Sequence, residues 1–207
     1  SQYFRNQYDT AMQSLPVPNS GVVINRIEVW VVNLQANTQD VRNVIAVTDL
    51  GEHQDYMSSN LNFHSLTNNS NTEPTTDFNH PPNNYNNDIF HDFVNNEQIM
   101  GYTEANTAIG VYRSSNFTKF EQGVHYERVG NARKLTPSEF TYNSRLGFIS
   151  LRQSLNNAEV LGVAYEYTLN GQTYQVGTLA QDGYTAPGAL VLKMLKSSIT
   201  QLDLDNG

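Results

Sequence analysis

Asn170-Gly171 stands between two runs of alternating side chains, and it constrains the fold more than any other feature of the sequence. Both residues accept the positive φ that a type I′ turn requires, so the pair reads as the turn of a two-residue β-hairpin. Leu169 then faces Gln172, Tyr167 faces Tyr174, and Tyr165 faces Val176. With that register Val163, Tyr165, Tyr167, Leu169, Tyr174 and Val176 share one face, and Ala164, Glu166, Thr168, Thr173 and Gln175 share the other. A slip of one residue would mix the faces, so the pattern specifies the pairing.

Other segments extend a mainly β reading. Residues 21–34 are rich in β-branched side chains, with Val22-Val23-Ile24, Ile27, Val29 and Val31 set among Asn25, Arg26, Glu28 and Asn33. Trp30 falls on the face of Arg26 and Glu28, so either both faces are partly covered or Trp30 is exposed. Asn43-Val44-Ile45-Ala46-Val47 reads as the next strand, and an adjacent antiparallel pair is the simplest connection. Leu146 to Leu151 alternates as a strand, while residues 189–195 fit strand and helix equally well.

Helical signals are few. Phe4, Tyr8, Ala11, Met12 and Leu15 recur at helical spacing before Pro16 and Pro18 end the run. Asp88 is placed to cap a short helix that buries Ile89, Phe90, Phe93 and Val94. Thr136-Pro137-Ser138-Glu139 has capping-box spacing, which predicts a short helical turn. The expected fold is therefore mainly β (α+β), an antiparallel, sandwich-like core with a few short helices. The 207 residues are read as one domain.

Composition bounds the partners. The net charge is −8, and between His53 and Tyr112 there are seven acidic residues and no Lys or Arg. Such a balance disfavours nucleic acid and anionic membranes. Asn is abundant at 26 positions, and the Asn- and Pro-rich stretch 53–87 lacks a steady period, which marks a polar surface insertion. No apolar run approaches the ~20 residues of a membrane helix. The chain begins Ser1-Gln2, without an initiator Met or a signal peptide, and reads as a piece of a longer protein.

Motifs that carry chemistry are missing from the expected picture. With no cysteine, disulfides, thiol catalysis and Cys-zinc sites are excluded. His53, His64, His80, His91 and His125 form no pair at metal-binding spacing. His80 and His91 near Asp77, Asp88 and Asp92 read as polar loop residues rather than a metal cluster, and the tail Asp203 to Gly207 reads as linker rather than a calcium loop. Neither a Gly-x-Ser-x-Gly elbow nor a phosphate loop appears. Glycoside hydrolysis would need two facing carboxylates, and neither Glu159 nor Glu166 stands out. No catalytic residue, cofactor or metal site is therefore expected. A glycan-binding platform built on Trp30, Tyr165, Tyr167 and Tyr174 is the alternative function, although Val163, Leu169 and Val176 beside the tyrosines favour core.

Several stretches together resemble the SprA/Sov family of Bacteroidota. They are Tyr3-Phe4-Arg5 through Tyr8-Asp9, Gly21-Val22-Val23-Ile24-Asn25-Arg26-Ile27-Glu28-Val29-Trp30-Val31, and Asn37-Thr38-Gln39-Asp40-Val41-Arg42-Asn43-Val44 running to Glu52. Asn131-Ala132-Arg133-Lys134-Leu135, Leu146-Gly147-Phe148-Ile149-Ser150-Leu151, Val160 to Thr168, Tyr174 to Gly177 and Leu192 to Lys196 continue the match in order. The likeness covers most of the chain outside 53–113, and those residues match no pattern of the family. It implies a soluble, non-catalytic segment of a very large outer-membrane β-barrel translocon for type IX secretion and gliding motility. The implied location is extracytoplasmic, at the outer membrane. Implied partners are other secretion-system proteins and secreted cargo, with membrane contact only through the rest of the parent.

Overall fold

The computed structural model describes residues 8–13, 21–32, 41–48, 50, 81–84, 90, 122–186 and 188–199. Among these lie eight strands: β1 (Val22–Val32), β2 (Val41–Val47), β3 (Tyr126–Lys134), β4 (Phe140–Asn143), β5 (Phe148–Leu151), β6 (Leu161–Leu169), β7 (Gln172–Val176) and β8 (Leu190–Lys196). A 3-10 turn, Ala180–Asp182, lies between β7 and β8. The mainly β expectation holds. Residues 8–12 are helical, and Phe90 is a buried helical residue. The remainder of both expected helices, and nearly all of the 53–87 insertion, lies outside the described residues. No helix among the described residues is long and apolar enough to cross a membrane.

The hairpin forms with the register read from its alternation: Leu169 opposite Gln172, Tyr167 opposite Tyr174, Tyr165 opposite Val176. Asn170 and Gly171 have φ of 51° and 81°, as a type I′ turn demands. All but the first residue of 189–195, ambiguous in sequence, fall in the strand β8. It is buried over Leu190, Val191, Leu192 and Met194, so its apolar run continues on both faces and shows no period.

The expected antiparallel pairing of β1 with β2 does not occur. β3 lies between them and pairs antiparallel with both. The reason lies in what each strand must bury. β1 pairs along most of its length with β6, and β2 is a central strand that takes β3 on one side and β8, parallel, on the other. β6 in turn pairs with β8 over 161–163 and with β7 over 165–169. The pairings β1–β3–β2–β8–β6 thus return to β1 and close a ring of five strands, which removes most free edges.

A bulge sets the faces of β1. The register shifts between Ile24 and Arg26, so Asn25 is an extra residue and the alternation changes parity there. Val22 and Ile24 before the bulge share a core cluster with Val29 and Val31 after it, and Ile27 packs against it. Arg26, Glu28 and Trp30 take the other face. The second cluster includes Trp30, Val44, Ala46, Val129, Ala132, Ala164 and Leu192, and it draws on all five strands of the ring. Its alanines suit the confined inner face of a small closed sheet. The first cluster is the outer face. Phe140 belongs to it, with Ile149 and Leu151 packed against it, so the β4–β5 sheet forms a second layer in a sandwich-like arrangement.

Close packing fixes one glycine. Gly177 follows β7 with φ of 77°, and a Cβ there would stand 2.8 Å from the Val191 carbonyl oxygen.

The Thr136–Glu139 segment is a hydrogen-bonded turn rather than a helical turn. β4 begins at Phe140, so no residues remain to propagate a helix. Half of the capping box survives, because the Thr136 N–H donates to Glu139 Oε2 at 2.8 Å. Arg133 also donates to both carboxylate oxygens of Glu139, at 3.0 and 2.8 Å. The Arg133 guanidinium, then the Thr136 amide, hold the Glu139 carboxyl down to about 2 from its ordinary 4.5. Because the folded value is the lower one, this stabilisation is present above pH 4.5 and is lost as pH falls toward 2. Both partners are partly solvated, so Glu139→Gln is expected to cost ~0.5–1 kcal/mol at neutral pH. Urea unfolding of both proteins across the acid range checks this: the gap should close on acidification, and a pH-independent gap would contradict it.

Candidate functional site

The outer face carries an apolar cleft of about 360 Å³ between the ring and the β4–β5 sheet. Alternation aims Leu161, Val163 and Tyr165 of β6 into it, and the Asn25 bulge lets Ile24 and Ile27 of β1 join them on the same side. Ile149 and Leu151 of β5 form the facing wall, and Gly147 opens one rim. On β8, Lys193 and Leu195 complete the lining. Leu195 is the extra residue where the β6–β8 register shifts, and it stays largely exposed. The Lys193 ammonium donates to the Thr48 carbonyl oxygen, tying β8 to the end of β2. The volume lies at the low end of ligand pockets, and the lining suits an apolar side chain or segment.

Two carboxylates are buried on the opposite face, both 3% exposed. Glu28 accepts from Lys134 Nζ at 2.7 Å, from the Ala180 backbone N–H at 2.9 Å and from Trp30 Nε1 at 3.3 Å. Glu127 accepts from the Ser198 backbone N–H at 2.9 Å, from the Ser198 hydroxyl and from Gln122 Nε2 at 3.3 Å. Each acid therefore fastens a segment across the ring. Glu28 holds the stretch after β7, and Glu127 holds the stretch after β8. Burial of a carboxylate is tolerated here because the charge is met by a cation or by several donors.

Beside Glu28, Arg26 donates to Asp182 at 2.8 Å and to Glu166 at 2.7 Å. These two acids, Asp182 foremost, hold its guanidinium pKa above the ordinary value. Glu166 is thus a partner of Arg26. Glu159 accepts from the Asn156 backbone N–H at 2.6 Å, closing a turn.

The residues read as a glycan platform are not brought together. Trp30 lies in the inner cluster, whereas Tyr165, Tyr167 and Tyr174 lie in or against the outer one. Trp30, Tyr165 and Tyr167 are all buried, and Tyr174 is half-buried. The tyrosines pack on one another instead, Tyr167 stacked on Tyr174 with centroids 5.3 Å apart and Tyr165 tilted against Tyr167 with centroids 6.0 Å apart. The platform is therefore corrected to core, as the apolar neighbours on that face favoured. The question over Trp30 resolves to covered faces, since its ring is 3% exposed. His125 is buried. The other four histidines, and Asp77, Asp88 and Asp92, lie outside the described residues. Among the described residues no three acids or histidines are grouped to hold a metal.

Sequence reasoning missed both buried carboxylates and the cleft. Glu28 meets its ammonium 106 positions along the chain, and Glu127 meets Ser198 71 positions along. A hint was present in Glu28 itself, a charged residue set between Ile27 and Val29 and two positions from Trp30.

No family model matches the chain, and no curated protein does either.

Proposed function

We propose that this chain is a non-catalytic soluble segment of a large outer-membrane translocon of the SprA/Sov type, serving type IX secretion and gliding motility. Its work is contact with secretion-system partners or with passing cargo. What carries this reading is the resemblance, in order and spacing, of the stretches from Tyr3 to Lys196 to that family. Two features of the fold support a contact role. Glu28 and Glu127 are engaged in fastening the ring, so their chemistry is structural. The outer face offers an apolar cleft with Leu195 exposed on its β8 side, and the hairpin that walls it exposes Tyr142 on the face of Ile149 and Phe148 on the face turned away from the cleft. Large apolar side chains left exposed around a cleft are candidates for contact surfaces.

The test is made in a bacterium that carries the parent gene. Deleting the segment while the parent still reaches the outer membrane should abolish release of a secreted reporter. Normal secretion would sink the proposal. A finer variant is Phe148→Asp, at a side chain 45% exposed. It should cost only about 1 kcal/mol, from poorer strand propensity and the covered part of the ring, and leave the segment folded. Secretion should fall all the same if the hairpin face is the contact.

A further inference from the structure

We infer that residues 180–186 form a cap over one end of the strand ring, latched by Arg26 and Glu28, which opens as a unit while the ring stays folded. The base of the segment is fixed. The Thr178 N–H donates to the Val191 carbonyl at 2.7 Å, and the Val191 N–H returns to Thr178 Oγ1 at 2.8 Å, both buried. Beyond that staple the attachment changes in kind. Gln181, Asp182, Gly183, Thr185 and Ala186 are exposed, and Ala180 and Tyr184 are only half-buried against the inner cluster.

Two polar latches hold the segment down. The Ala180 N–H donates to Glu28 Oε2 at 2.9 Å, and Asp182 takes the Arg26 guanidinium at 2.8 Å. Two backbone hydrogen bonds sit at its junctions, from the Asp182 N–H to the Leu179 carbonyl and from the Gly188 N–H to the Thr185 carbonyl, and as local turns they hold neither end to the ring. Opening therefore breaks a partly exposed ion pair, one amide–carboxylate bond and a small apolar contact. The ring ladders cost far more, which is the condition for a separate unit of local opening.

Trp30 reports the event. It is the chain's only tryptophan, and its indole N–H shares Glu28 Oε2 with the Ala180 amide. An open cap uncovers that carboxylate and the indole edge together.

The test is Asp182→Ala, a surface change away from the ring ladders, together with a NaCl series on the unsubstituted chain. Amide exchange at Ala180 should rise about two- to fivefold in the variant, the factor expected for losing an exposed ion pair. It should also rise with salt, which screens the pair. Acrylamide quenching of Trp30 should rise with it, while the β6 amides of 165–169 keep their protection. Unchanged Ala180 exchange or unchanged quenching overturns the inference. So does exchange that rises equally in β6, because the cap would then open only with the whole fold.

Discussion

Replacing Tyr167 with alanine is expected to cost the fold about 3–5 kcal/mol, a large share of the stability of a domain this size. The ring is 0% exposed and lies on β6 between Ile24 of β1 and Tyr174 of β7. Truncation removes apolar area and leaves a cavity where two ladders meet, so the surroundings cannot easily collapse into it. The ring contacts with Tyr174 and Tyr165 are lost as well, at about 0.5–1.5 kcal/mol per aromatic pair. Tyr167→Phe separates the hydroxyl from the ring. The hydroxyl donates to the Pro82 carbonyl at 2.7 Å, and removing it should cost only about 1 kcal/mol. Urea unfolding of both variants reads the two contributions. An alanine variant within 1 kcal/mol of the parent protein would mean that the ring is not core, and the platform reading would return.

The same hydroxyl shows how the polar insertion meets the fold. Pro82 accepts from Tyr167, and the Asn84 carboxamide bonds both the N–H and the C=O of Gly177, at 2.8 and 2.9 Å. In sequence, Pro81-Pro82-Asn83-Asn84 belongs to a stretch without period, and nothing there points to β6 or β7. An Asn side chain can imitate a backbone partner, but composition does not reveal which backbone it imitates.

What was legible was local. The hairpin at Asn170-Gly171 announced its turn and its register because partners sit a few residues apart and both arms alternate. The strand character of β1 was equally plain. The pairing of β1 and β2 was misread because neighbours in sequence are only a prior for neighbours in a sheet, and β3 intervenes from far along the chain. β3 itself was missed. Tyr126-Glu127-Arg128-Val129-Gly130-Asn131-Ala132-Arg133-Lys134 has two apolar residues after Tyr126, and its alternation is broken where the register against β2 shifts. The Asn25 bulge hid in the same way. The run Val22, Ile24, Ile27, Val29, Val31 contains it, since the spacing changes from two to three at the bulge and back to two.

Glu28→Ala is expected to cost about 2–4 kcal/mol, and almost none of that is the ion pair itself. Lys134 is 35% exposed, so its ammonium can turn to water when the carboxylate goes, and the pair alone is worth ~1 kcal/mol or less. The Trp30 indole N–H and the Ala180 amide have less freedom. Both donate to Glu28 Oε2, Trp30 is buried in the inner cluster, and each donor left without an acceptor costs about 1–3 kcal/mol. Glu28→Gln keeps one acceptor oxygen and the shape of the side chain, so it should cost about half as much. Lys134→Ala leaves the buried Glu28 carboxylate without its cation, a cost held to about 1–2 kcal/mol because Glu28 keeps its other two donors. That ranking, with alanine at 28 the worst, separates donor satisfaction from simple charge pairing. Charge pairing would make the two alanine variants equal. Urea unfolding followed by the fluorescence of Trp30 measures all three on one probe, and equal losses at 28 and 134 would refute the assignment of Glu28 as the acceptor that closes this end of the ring.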